Sequence, residues 1–84
     1  MTMMMMMMMM MTACYPVRFE NKNSDAGTGV GQMPEHACWQ YCMARYPSCR
    51  AVDYRRSDGA CYTHGVYTGT QYNGCCNRYE IYCH

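Results

Sequence analysis

The residues with chemical potential in this chain are eight cysteines, Cys14, Cys38, Cys42, Cys49, Cys61, Cys75, Cys76 and Cys83, and three histidines, His36, His64 and His84. Thiols and imidazoles together can hold zinc or arm a nucleophile, and thiols alone can form disulfides. The spacing argues against zinc, because no Cys-x-x-Cys knuckle occurs and Cys38-x-x-x-Cys42 fits no common ligand pattern. A thiol nucleophile would draw on His64, close to Cys61, with Asp53 or Asp58 imagined beside it. A cysteine consumed as a bridge is no nucleophile, however, and a lone surface histidine is ordinarily just solvated. The expectation is therefore a non-enzyme with no metal and no cofactor. An even count of cysteines, near a tenth of 84 residues, reads instead as a disulfide framework made in an oxidising compartment, which points to a secreted or extracellular chain.

Something must position those thiols. Cys38 and Cys42 are four apart, so on a helix both leave one face, one turn above the other. Pro34 is tolerated at the first helical position, Glu35 suits the positive end of the dipole and Pro47 stops continuation, which predicts a helix of about three turns. Trp39, Met43 and Tyr46 extend the cysteine face into an apolar stripe that can cover a small sheet. Just beyond, Cys49 and Cys61 stand on what read as two strands and are the partners within reach. Ser57-Asp58-Gly59 turns the chain between those strands, with Val52 and Tyr54 on one side and Ala51 and Asp53 on the other. The last strand, Arg78 to His84, puts Tyr79, Ile81 and Cys83 on one face. Trp39, Met43, Val52, Tyr54 and Ile81 form the expected core between helix and sheet.

The remaining segments are simpler. Tyr15, Val17 and Phe19 alternate with polar residues as a half-buried strand, and Pro16 argues for an edge position or a strand beginning. Asn21 to Gln32 is polar and glycine-rich, hence a loop, and it lacks the Lys-Ser/Thr pair of a phosphate cradle. Asn73-Gly74 is the best tight-turn signal. Seven basic and six acidic residues, scattered, give a net charge of +1 and no footprint for nucleic acid. Ahead of this lies an unbroken methionine run, Met3 to Met11, too short to span a bilayer as a helix. Residues 1–13 read as an apolar tail, either methionines standing in for residues of undetermined identity or a real flexible segment laid on another subunit; residues 14–84 read as the domain.

From Cys14 to Cys83 the chain resembles the PAN/apple domain family. The resemblance rests on an early cysteine before a strand, Cys38-x-x-x-Cys42 on a helix, Cys49-Arg50-Ala51-Val52-Asp53-Tyr54, Cys61-Tyr62 and a closing Tyr79-Glu80-Ile81-Tyr82-Cys83. It implies an α+β fold, one helix cradled by a curved antiparallel sheet, with Cys38–Cys61 and Cys42–Cys49 tying helix to hairpin and Cys14–Cys83 tying the chain ends. It also implies a binding role in extracellular protein or carbohydrate contacts. Cys75-Cys76 lies outside the six-cysteine pattern, and three fates are open to the pair: a vicinal bond, exchange with Cys14 or Cys83, or cross-links between subunits. No asparagine stands in Asn-x-Ser/Thr.

Two functions are consistent with these features. One is an extracellular structural subunit that self-assembles into a fibre or surface coat through its amino-terminal tail. The other is a secreted adhesive or lectin-like module, in which some of the nine tyrosines line a glycan or protein site.

Overall fold

A computed structural model of the chain describes residues 13–24, 27–67 and 69–84. Of the expected tail, residues 1–13, all but Ala13 lie outside the described residues. Five strands and one helix follow in the order β1 (Cys14–Asn23), β2 (Thr28–Gln32), α1 (Glu35–Met43), β3 (Ala51–Arg55), β4 (Ala60–His64) and β5 (Gln71–Cys83). The strands form one antiparallel sheet in the order β1-β5-β3-β4-β2, with α1 packed on it. The architecture is thus a small disulfide-rich α+β domain.

The helix is shorter than the spacing predicts. Pro34 stands at its N-cap instead of its first turn, and after Met43 the chain continues as turns through Ser48. Its buried stripe is carried by Cys38 and Cys42, both fully buried. Val52, Cys61, Tyr79 and Ile81 meet them from the sheet. With that stripe filled by sulfur, the larger side chains go to the flanks: Trp39, Met43 and Tyr54, expected in the core, are half-buried and pack against it. Trp39 leans on Tyr79, ring centroids 6.2 Å apart.

The described cysteines are all bonded, Cys38 to Cys61, Cys42 to Cys49, Cys14 to Cys83 and Cys75 to its neighbour Cys76. The first two pin the helix to β4 and to the approach to β3. The third joins β1 to β5 at paired positions, where Ala13 and His84 also exchange backbone hydrogen bonds of 2.9 and 3.1 Å.

Two parts of the sheet differ from expectation. The stretch read as a loop from Asn21 to Gln32 contains the end of β1 and all of β2. β2 is a mostly exposed edge strand, so no buried face marks it in the sequence. Asn73-Gly74, read as a turn, lies inside β5 as a bulge: Glu20 pairs with Asn77 and Lys22 with Tyr72, leaving only Asn21 opposite residues 73–76. Asn21 takes a left-handed φ of 58° there, and Asn73 Oδ1 accepts the Cys75 N–H at 3.0 Å. Arg56 clamps the bulge by donating to Asn77 Oδ1 at 2.6 Å, to Asn21 Oδ1 at 2.7 Å and to the Gly74 carbonyl.

The helix also carries a polar anchor. Glu35 accepts hydrogen bonds from the Tyr79 hydroxyl and from Asn77 Nδ2, the latter at 2.9 Å, with Arg18 Nε 3.7 Å away. Burial alone would raise the Glu35 carboxyl, but these donors, together with the Arg18 and Arg56 charges, outweigh it and hold the group below its ordinary value. The same contact acts oppositely on Tyr79, pushed up to about 12 by burial and then by the acceptor and charge of Glu35.

Packing and titration each give expected outcomes. Ile81→Ala, which empties a fully buried site under the helix, should cost about 2–5 kcal/mol in chemical unfolding with disulfides intact, and half-buried Trp39→Ala should cost less than a wholly buried tryptophan, about 3–5 kcal/mol. Tyr79's contribution to stability is fully present below its unfolded value of 10.0 and lost as pH rises through about 12. Removing the Glu35 charge with Glu35→Gln should return Tyr79 toward 10.0, so ultraviolet tyrosinate titration should show one tyrosine fewer in the late phase. Superimposable curves would mean that Glu35 does not set Tyr79.

Candidate functional site

Among the described residues β1 and β2 are the two edges of the sheet. α1 occupies the face carrying Val52, Tyr79 and Ile81; Ser24 and Gly27, the described residues between β1 and β2 and here called the strap, lie over the other, which carries Asp53, Tyr62, His64 and Arg78. The contacts place them there. Ser24 N–H donates to Asp53 Oδ2 on β3 at 3.1 Å, and Gly27 lies over β4 so closely that a Cβ there would meet the His64 ring at 2.9 Å and Tyr62 Cβ at 3.0 Å. Any side chain at position 27 would lift the strap off the sheet.

Under the strap is a buried polar cluster. Asp53 Oδ2 accepts from His64 Nε2 at 2.6 Å, and Arg78 Nη1 donates to Ser24 Oγ at 2.6 Å and to Asp53 Oδ1 at 3.4 Å. Arg78 Nε reaches Glu80 Oε2 at 3.0 Å. Arg78 and Asn77 are fully buried, and Ser24, Asp53 and His64 nearly so. A guanidinium so enclosed must be neutralised, and Asp53 and Glu80 do this from either side. His64, expected as a solvated surface residue, is thus an interior one. Ser24 Oγ lies 3.4 Å from the same Nε2 that Asp53 engages. Because serine and carboxylate meet one ring nitrogen, the ring does not stand between them as a relay, which would need both nitrogens.

Beside the cluster opens a cleft of about 270 Å³, lined by Asn23, Ser24, Gly27, Asp53, Arg55, Tyr62, Cys75 and Cys76. Each wall has a structural reason. The end of β1 and the strap supply Asn23 and Ser24, the hairpin supplies Asp53, Arg55 and Tyr62, and the β5 bulge presents the vicinal disulfide. Arg55 is held in a two-pronged pair with Asp58, at 2.9 and 2.7 Å, and its guanidinium sits 5.6 Å from the Tyr62 ring centre. That pairing keeps the Asp58 carboxyl down at about 2. Among the described residues neither Asn23 Oδ1 nor Arg78 Nη2, both buried, has a hydrogen-bond partner.

Comparison with protein-family models, curated proteins and solved structures finds no match.

The cysteine positions foreseen from the sequence separate by location. Cys38, Cys42, Cys49 and Cys61 build the core, Cys14 and Cys83 close the sheet end, and only Cys75 and Cys76 reach the cleft. Asn23, Ser24, Gly27 and Arg78 carry no motif, and Tyr62 enters only through the Cys61-Tyr62 pair. A signal for the Asp53–His64 contact did exist: a hairpin turning at Ser57-Asp58-Gly59 pairs Ala51 with His64 and Asp53 with Tyr62, placing Asp53 and His64 diagonally on one face. Among the described residues no three His, Cys, Asp or Glu side chains converge as a metal site, and no helix is long and apolar enough to cross a membrane.

Removing the central carboxylate tests the cluster. Asp53→Ala should cost about 3–5 kcal/mol, because it leaves a buried guanidinium short of one counter-charge. Urea unfolding that showed parent-like stability would mean that Glu80 alone neutralises Arg78.

Proposed function

We propose that the chain is a non-enzymatic extracellular structural subunit, a PAN/apple-like domain that assembles with copies of itself into a fibre or coat through its amino-terminal segment. Four bridges fit an oxidising, extracellular-type environment. The observation that carries the reading is the outer edge of β1. Among the described residues no strand pairs with it, Pro16 lies on it, and it leads back through Ala13 directly to residues 1–12. On the sheet face opposite the helix, the same strand exposes Tyr15 and Phe19, 45% and 38% accessible, and Tyr67 stacks on Tyr82 beside them at 5.5 Å. An open edge next to exposed aromatic surface is where a neighbour's extended segment adds a strand. A head-to-tail contact of that kind gives an open polymer when its rotation does not close.

The cleft favours a second reading, a carbohydrate-binding module. Tyr62 and Asn23 both line it, an aromatic ring and an amide of the kinds that a sugar's C–H face and hydroxyls use.

Deleting residues 1–12 should leave a folded, fully bridged monomer by sedimentation, whereas the full chain forms polymers visible by electron microscopy. Unchanged oligomers after deletion, or a full chain that stays monomeric at high concentration, would remove the assembly reading. Saturable binding of neutral monosaccharides, abolished by Tyr62→Ala, would then favour the second.

A further inference from the structure

Three of the four disulfides have evident mechanical work. They close chain separations of 69, 23 and 7 residues and tie together helix, hairpin and sheet end. The fourth has none. Cys75 and Cys76 are neighbours, with a sequence separation of 1, so their bond encloses no loop and withdraws almost no loop-closure entropy from the unfolded chain. The bulge that carries it is held by other means, the Arg56 clamp and the Asn73 side chain. Placement differs as well. Cys38, Cys42, Cys49 and Cys61 lie at 0–5% exposure inside the core and Cys14–Cys83 is partly exposed at the sheet end, whereas the vicinal pair lines the cleft, Cys75 partly exposed and Cys76 at 5%.

We propose that Cys75–Cys76 is a thiol-exchange site, at which an incoming thiol, either a small one or a cysteine side chain, attacks from the cleft and becomes attached to Cys75. The lone pair of the incoming thiolate forms a new sulfur–sulfur bond to Cys75 Sγ. The Cys75–Cys76 bond breaks with its electron pair going to Cys76 Sγ, which leaves as a thiolate and is then protonated by solvent. Nothing is oxidised or reduced beyond this exchange until a second thiol attacks the mixed disulfide, which releases the attached group as a disulfide and leaves Cys75 as a thiol.

The surroundings suit each part. Cys75 is the more exposed residue of the pair, and we take its sulfur as the one attacked. Cys76 is paired with Arg55 across β3 and β5, and Arg55, its guanidinium held in the pair with Asp58, lines the same cleft, so the leaving thiolate forms beside a polar wall. The cleft volume of about 270 Å³ admits a small thiol or one side chain and excludes a folded protein surface. Since the bond spans no loop, opening it leaves the fold standing, which a regulatory or attachment chemistry requires and a structural bridge would not allow.

The test uses the full-length oxidised protein. Graded dithiothreitol followed by iodoacetamide and peptide mapping should label Cys75 and Cys76 at roughly tenfold lower dithiol concentration than any other pair. Far- and near-ultraviolet circular dichroism should remain unchanged at that step. Glutathione alone should give a mixed disulfide mapped to Cys75. The double variant Cys75→Ser/Cys76→Ser should fold with the other three bridges, melt within a few degrees of the parent and acquire no glutathione. Opening of Cys14–Cys83 first or at the same concentration, attachment at Cys76, or loss of tertiary circular dichroism in the double variant would each overturn the proposal.

Discussion

A twisted sheet has two faces to shield, and among the described residues a single helix of nine residues is there to do it. The bond from Cys38 to Cys61 resolves the first half of that problem by fixing the helix to one face, with Cys42–Cys49 setting its tilt toward the start of β3. A helix this short has little stability of its own and an apolar stripe too narrow to hold it by burial alone. Once it is pinned, Val52, Tyr79 and Ile81 acquire a cover, and Glu35 reaches Tyr79 and Asn77. Everything on the opposite face follows from the helix being unavailable there. The strap lies over it, and because the strap is thin and polar, the layer beneath it is built from Asp53, His64 and Arg78 instead of aliphatic side chains.

The two faces therefore store stability differently. The helical side relies on covalent sulfur and apolar contact, which are insensitive to salt and tolerant of small shifts. The strap side relies on a fully enclosed guanidinium flanked by the carboxylates of Asp53 and Glu80, an arrangement that needs accurate placement. The cleft lies where this second layer meets the β5 bulge, so its walls inherit rigidity from the Arg56 clamp and polarity from the cluster.

Much of the helical side could be read from the sequence. Cys38 and Cys42 one turn apart, bounded by Pro34 and Pro47, and the turn at Ser57-Asp58-Gly59 each carry a local physical signature, and Gly59 does take a positive φ of 75°. β2 was illegible, since an exposed edge strand such as Thr28-Gly29-Val30-Gly31-Gln32 has no buried face to impose alternation. Asn73-Gly74 misleads for a related reason: the conformations that let it turn a hairpin are the same ones that let it form a bulge, and only long-range pairing with β1 decides between them. The polar cluster fell between these cases. Its Asp53–His64 half follows from hairpin register, while Ser24 on the strap and Arg78 on β5 lie 54 residues apart in sequence, a separation no local pattern spans.

The pairing of Ala13 with His84 and the bond between Cys14 and Cys83 bring both ends of the domain to one corner of the sheet. Tension applied through the flanking chain thus enters and leaves across a single covalent link. Strands, helix and cleft hang beside that load path and outside it, so the domain would transmit a pulling force without being stretched by it.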